Sequence, residues 1–229
     1  MKKNNKFTKS TLLVLMFMSF LTIGSSDGYS QTSKMEGTIL GLGTNNQLYV
    51  WENNAWKYIP NSGYVIDIAV MKNGTIIGVG KNNQLYLRNN NVWQNIPNSG
   101  LVSSVAVEKD GTILGLGVGK SKDLYKWVSS TLSSKWERIP NSAGVSDITI
   151  MKDGTILGIG GNKQLYTRKG GKWNQIPNSG SIIDVAVTKD GTILGVGTKN
   201  KMYKWVKTGL YSAWEEIPNS KGVIAIAVK

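Results

Sequence analysis

From residue 37 onward, short apolar stretches alternate with turn residues in an order that recurs five times. In the first copy the stretches are TILGLG, QLYVW, WKYIP and VIDIAV, each bounded by Gly, Asn, Ser or Lys-rich segments. That is the pattern of short β-strands joined by tight turns. Gly-Thr-Ile-Leu, or its Ile variant, begins at Gly37, Gly74, Gly111, Gly154 and Gly191, with spacings of 37, 37, 43 and 37 residues. Each copy continues through Gly-x-Gly, a Leu-Tyr or Met-Tyr pair (Tyr49, Tyr86, Tyr125, Tyr166, Tyr203) and a tryptophan (Trp56, Trp93, Trp136, Trp173, Trp214). Ile-Pro-Asn-Ser follows, starting at Ile59, Ile96, Ile139, Ile176 and Ile217, and holds all five prolines of the protein. Four strands in each unit of about 40 residues predict propeller blades.

The order of strands within a blade follows from their residues. Proline cannot donate a ladder hydrogen bond, so the Ile-Pro strand belongs at the outer edge. VIDIAV, apolar and small, fits the inner strand beside the axis. Asn73-Gly74, Asp110-Gly111, Asp153-Gly154 and Asp190-Gly191 are hairpin dipeptides, which makes those aspartates turn formers. The chain enters its first repeat on a second strand and ends on Val223 to Val228, a first strand with no blade after it. Placing that last strand beside the first three completes a fifth blade. The expected fold is therefore all-β: a five-bladed β-propeller of four antiparallel strands per blade, the ring closed by pairing of N- and C-terminal strands. A linear solenoid would leave the terminal unit uncapped.

The first thirty residues follow a different pattern. Lys2, Lys3, Lys6 and Lys9 precede an unbroken apolar and small run from Thr11 to Ile23, and then GSSDGYSQ. This is the layout of a secretory signal peptide over residues 1–30, with cleavage between about Ser26 and Gln31, leaving residues 31–229 as the propeller. The run is short of the roughly 20 residues that span a bilayer, so no transmembrane segment is expected. A chain without cysteine has neither a disulfide framework nor a lipid-modified cysteine, and its stability must come from burial. The net charge is +13, and setting aside the four leader lysines leaves 23 basic against 14 acidic residues. The lysines are scattered rather than run together, which reads as a solvated surface and not a nucleic-acid groove.

The order D-G-T-I-L-G-V-G, a Leu-Tyr or Met-Tyr pair, a variable loop, W-x-x-I-P-N-S-G and V-I-D-I-A-V resembles the tachylectin-2 type of five-bladed propeller lectin. More loosely, it is similar to the tectonin repeats of other lectins. The resemblance spans Gly37 to Lys229. It implies a binder of N-acetylated hexosamines, of N-acetylglucosamine or N-acetylgalactosamine type, with up to five sites between adjacent blades, no catalysis and no cofactor. Where that family carries a Gly-Gly-Trp turn, this chain has Asn-Ser-Gly followed by Tyr64, Leu101 or Ser181, or Asn-Ser followed by Ala143-Gly144 or Lys221-Gly222.

In a meander, successive connections alternate between rims. The turns TNNQ, KNNQ, GNKQ and TKNK therefore share one rim with every Asn-Ser connection. Sugars need planar hydrogen-bonding groups beside an aromatic ring. The candidate carbohydrate contacts are thus the pairs Asn61 and Ser62, Asn98 and Ser99, Asn141 and Ser142, Asn178 and Ser179, Asn219 and Ser220, together with Trp56, Trp93, Trp136, Trp173 and Trp214. The competing reading makes Asn-Ser-Gly an ordinary turn and the tryptophans interblade core. The repeated tyrosines are expected in the core. Two residues after each tyrosine stand Trp51, Arg88, Trp127, Arg168 and Trp205, which breaks the five-fold pattern. Asp67, Asp147 and Asp184 interrupt the inner strands, as a cation site or a hydrogen-bonded plug at the axis.

No enzyme is expected. Without His or Cys, the histidine-dependent triads, thiol chemistry and the usual zinc sites are out of reach. The acids recur with the repeat, whereas a two-carboxylate glycosidase site would break it. Gly158 to Gly161 has no following helix and is not a dinucleotide loop. Two functions remain: a multivalent lectin for cell-surface glycans, or a propeller scaffold that binds protein partners through one rim without sugar affinity.

Overall fold

The computed structural model describes residues 37–128, 135–208 and 211–229. The leader expected over residues 1–30 lies outside them, as do parts of the two longest loops. Among the described residues no helix is long and apolar enough to cross a membrane.

Among the described residues, twenty strands form five four-stranded antiparallel sheets. Blade 1 holds β1 (Ile39–Gly43), β2 (Leu48–Glu52) and β3 (Ala55–Tyr58), and blade 2 holds β4 (Val65–Val70), β5 (Ile76–Gly80), β6 (Leu85–Asn89) and β7 (Val92–Asn95). Blade 3 is β8 (Val102–Val107), β9 (Ile113–Gly117), β10 (Leu124–Val128) and β11 (Lys135–Arg138). Blade 4 is β12 (Val145–Ile150), β13 (Ile156–Gly160), β14 (Leu165–Lys169) and β15 (Lys172–Gln175). Blade 5 is β16 (Ile182–Val187), β17 (Ile193–Gly197), β18 (Met202–Thr208) and β19 (Tyr211–Glu216). The last strand, β20 (Val223–Val228), pairs with β1 as the inner strand of blade 1, with Ile39 opposite Val228 and Leu42 opposite Ala225. The ring closes as the phase of the repeat predicts.

The strands β4, β8, β12, β16 and β20 pack side by side around the axis, and each Ile-Pro segment leaves the outermost strand of its blade. Burial is organised between blades. Ile77, Val79 and Leu85 of blade 2 pack with Val102, Val105 and Ile113 of blade 3, and each of the other four clusters likewise joins two neighbouring blades. Every inner strand carries a register shift at the same place, after Val65, Val102, Val145, Ile182 and Val223. Such bulges re-aim a side chain, and the residue re-aimed is Asp67, Ser104, Asp147, Asp184 or Ala225.

Candidate functional site

The Gly-x-Gly segment of each second strand has a spatial reason. A methyl group at the first glycine would meet the tryptophan of the fourth strand: at Gly41 it would lie 2.6 Å from Trp56 Cη2, and at Gly115 2.7 Å from Trp136 Cη2. A methyl at the second glycine would meet the tyrosine ring, 2.5 Å from Tyr86 at Gly80 and 2.8 Å from Tyr125 at Gly117. Bare backbone therefore lets a Tyr and a Trp ring lie against the sheet side by side. The tyrosines are half-buried, and their hydroxyls reach the rim. Asn45 Nδ2 donates to Tyr49 OH, Asn82 Nδ2 to Tyr86 OH and Asn162 Nδ2 to Tyr166 OH, each at 2.9 Å. The same asparagines cap their own turns, accepting from the N–H groups of Gln47, Gln84 and Gln164.

The Asn-Ser pairs divide in role. Asn61, Asn98, Asn141, Asn178 and Asn219 sit at φ between 53° and 61°, the left-handed region that Asn tolerates well, with exposed side chains on the expected rim. The serines are a different matter. Ser62, Ser99, Ser142, Ser179 and Ser220 are at most 1% exposed, so no sugar reaches their side chains. Each hydroxyl donates to the carbonyl three residues before it, as Ser99 does to Ile96 at 2.5 Å, and accepts the N–H that opens the third strand, as from Leu85 at 2.9 Å. The same staple holds in the other four blades. Serine is needed there because its hydroxyl satisfies two buried backbone groups at once. Ser99→Ala should therefore cost about 1–3 kcal/mol through the orphaned Leu85 N–H, read as a lower urea midpoint with an unchanged slope.

The repeated tryptophans are half-buried. Trp56, Trp93, Trp173 and Trp214 donate their indole N–H to the carbonyls of Ser220, Ser62, Ser142 and Ser179, at 3.0–3.2 Å. Trp136 is the exception: its Nε1 is buried without a protein partner. Opposite these rings the alternating Trp and Arg positions serve the blade interface. Trp51, Trp127 and Trp205 pack edge-on against Trp56, Trp136 and Trp214, with ring centroids 4.8–4.9 Å apart. Arg88 instead donates to the carbonyls of Asn61 and Pro60 at 2.7 and 2.8 Å, and Arg168 donates to Pro140 O at 2.8 Å. The arginines thus hold the turn arriving from the preceding blade, where the tryptophans join the apolar clusters between blades.

Among the described residues, two of the clefts lie on the Asn-rich rim. One, of about 340 Å³, lies in blade 3 between Gly100–Val102 and Gly117–Gly119, with Tyr125 and Trp136 lining it. The other, of about 260 Å³, is the equivalent place in blade 5, between Gly180–Ile182 and Gly197–Lys199, with Tyr203 and Trp214. The predicted tryptophans and the tyrosines assigned to the core thus meet here, while the Asn side chains stand outside the clefts.

At the axis, the re-aimed acids tie each inner strand to the next. Asp67 accepts the N–H of Val105 at 2.7 Å, Asp147 that of Val185 at 3.1 Å and Asp184 that of Ile226 at 2.8 Å. Ser104 fills the same place by accepting from Ile148 and donating to Asp147. One oxygen from each aspartate lies within 4.8 Å of the others. Burial lifts the Asp67 carboxyl to about 6. Burial, and then the neighbouring aspartate charges, push Asp147 and Asp184 well above the usual carboxylate range. The three buried acids thus accept backbone N–H groups from the neighbouring inner strands and line a cavity of about 170 Å³ at the axis.

Solved structures align with this chain at low identity. A symmetrical protein, described for its de novo evolutionary emergence under folding constraints, aligns with a TM-score of 0.54 and 13% identity over 82% of this chain and 93% of its own. A protein of unknown function from Bacteroides thetaiotaomicron aligns with a TM-score of 0.57 and 11% identity over 86% of this chain and 65% of its own. Another of unknown function, from Bacteroides caccae, gives 0.50 and 13% over 77% and 71%. No curated protein matches the sequence. The tectonin domain matches over residues 29–142, 64–163 and 144–223, nearly the whole repeat region, and with five blades of the repeated Tyr–Trp arrangement the chain belongs to the tectonin domain family.

Proposed function

We propose that this protein is a secreted, multivalent lectin that binds N-acetylated hexosamines on cell-surface glycans and performs no catalysis on them. The observation that carries the reading is the cleft repeated on one rim, in which a tyrosine and a tryptophan lie side by side against bare glycine backbone. Such a surface complements the apolar C–H faces of a sugar, and the tyrosine hydroxyls, joined in blade 5 by Ser181 and Thr198, stand beside it for the polar groups. The leader pattern supports export. The family resemblance supports the acetamido sugars.

The clefts are open and small, so each should hold a monosaccharide with Kd of order 0.1–1 mM. Several clefts on a rigid disc should raise apparent affinity for a glycan-coated surface by roughly 10² to 10⁴. A glycan array probed with the mature protein should show signal on terminal N-acetylhexosamines that the free sugar competes away only at millimolar concentration. N-acetylhexosamine oligosaccharides incubated with the protein should return intact. Sustained hydrolysis, or an array without signal beside specific capture of a protein partner, would replace this reading with an enzyme or a scaffold.

A further inference from the structure

We infer that the residue following each Asn-Ser-Gly turn is a gate that decides which clefts of the rim are open, and that Tyr64 closes the one in blade 2. Tyr64, Leu101 and Ser181 occupy the same place in blades 2, 3 and 5, at φ of 105°, 70° and 69°. Blades 4 and 1 have Gly144 and Gly222 there, at 107° and 111°. A side chain at such φ occupies a sparsely populated, strained backbone conformation. The three non-glycine side chains are thus held against a local preference, and they differ from one another while the staple around them does not.

The contacts show what each does. The Tyr64 ring stands edge-on to Tyr86, with centroids 5.0 Å apart and hydroxyl oxygens 3.2 Å apart. Its Cε1 lies where a methyl at Gly80 would come within 3.0 Å. Tyr64 therefore covers the Gly80–Tyr86 surface, whose counterparts Gly117–Tyr125 and Gly197–Tyr203 line the open clefts of blades 3 and 5. In blade 3 the gate residue, Leu101, is 74% exposed and leaves the aromatic floor uncovered. The turn from Gly117 to Leu124 is two residues longer than that from Gly80 to Leu85, and it adds Val118 to the wall. The blade 3 cleft thus sets two apolar side chains, Leu101 and Val118, beside its aromatic floor. Blade 5, with Ser181, Thr198 and Lys199 and its indole N–H already given to Ser179, presents a more polar wall.

The ligand side of this inference rests on the lectin reading; the closure does not. The test uses the indole N–H signals of the full mature chain, titrated with methyl N-acetylglucosaminide. In the wild type, Trp136 and Trp214 should shift, as should Trp173 and Trp56, whose gate residues are Gly144 and Gly222, while Trp93 stays still. Tyr64→Gly, which places at φ 105° the residue that blades 4 and 1 already use, should add Trp93 to the responding set and raise the stoichiometry by one. Leu101→Tyr should silence Trp136 and leave Trp214 responding. A response at Trp93 in the wild type, or none in Tyr64→Gly while Trp136 responds, overturns the gate. If no indole responds, the lectin reading of these clefts falls, and closure is read without ligand from nitration by tetranitromethane mapped on peptides. Tyr125 should then be modified and Tyr86 protected in the wild type, with Tyr86 becoming reactive in Tyr64→Gly. Equal reactivity of Tyr86 in both proteins overturns the gate.

Discussion

A chain lacking Gly222–Lys229 should lose its single cooperative unfolding transition and aggregate at concentrations where the intact chain does not. The strand removed pairs along the whole of β1, from Ile39 to Gly43, and β1 is buried throughout. Val223 and Ile226 belong to the cluster between blades 5 and 1, and Ala225 and Ala227 to that between blades 1 and 2. Each fully buried Val or Ile contributes about 1.5–3 kcal/mol, and a domain holds only about 5–15 kcal/mol in all. The deletion also leaves β1 as an unpaired apolar edge, a template for pairing between molecules. Urea unfolding followed by far-ultraviolet circular dichroism, with light scattering alongside, reads both effects. A soluble truncated monomer with unchanged melting would contradict the closed ring.

Raising the pH from about 4 to 8 should weaken the fold, against the usual behaviour of carboxylates. Asp67, Asp147 and Asp184 hold their protons in the folded state to pH values well above the range in which an unfolded chain releases them, near 3.9. Between that pH and the folded values the native state binds more protons than the unfolded one, so stability is full below about 4 and falls as pH climbs. For Asp67, raised from 3.8 to about 6, the loss is on the order of 3 kcal/mol. The exposed turn aspartates Asp110, Asp153 and Asp190 are shifted the other way by their bonds to Thr112, Thr155, Thr188 and Thr192, and their contribution is lost below about 4. The profile should thus peak in mildly acidic buffer. Asp184→Asn keeps an acceptor for Ile226 N–H and removes one charge, so it should raise the urea midpoint at pH 8, leave it nearly unchanged at pH 4.5 and flatten the profile between. A wild type more stable at pH 8 than at pH 4.5 would refute the upward shift of the three axial carboxyls.

The repeat made most of the fold legible. Period, strand count, the outer place of Ile-Pro, the inner place of VIDIAV and the closing strand all follow from a pattern written five times, and so does the sorting of turns onto two rims. The site was only half legible. Asn61 and Ser62 read alike as polar turn residues, yet one stands in solvent and the other folds back onto Ile59 O and Leu48 N. Polarity alone does not separate them, because a buried hydroxyl with two backbone partners is as well satisfied as a hydrated one. The tyrosines were assigned to the core because nothing in a Leu-Tyr pair shows that the second glycine of Gly-x-Gly lets the ring lie flat with its hydroxyl at the rim. A usable signal was present: within this chain Ser62, Trp93 and Gly78 keep their identity in every blade, as structural parts must. The residue after Asn-Ser-Gly varies from Tyr to Leu to Ser.

The bulges at Asp67, Ser104, Asp147 and Asp184 were not legible, since a register shift leaves the order of residues untouched. Their effect is to turn a side chain that the alternating pattern would place on a blade face toward the neighbouring inner strand. Asp67 thereby satisfies Val105 N–H on what is otherwise an open strand edge.

Closure by the C-terminal strand also bears on the order of events in folding. Blades 2 to 5 are built from strands adjacent in sequence and can form from local hairpins, whereas blade 1 must bring Ile39 to Val228 across almost the whole propeller. Contacts so distant in sequence carry the largest loop-closure cost and form slowly. During synthesis, β1 to β3 emerge first and wait longest for their partner. The ring therefore has a kinetic last step, separable in stopped-flow refolding from the faster assembly of the other four blades, and the first-made part of the propeller is the last to become native.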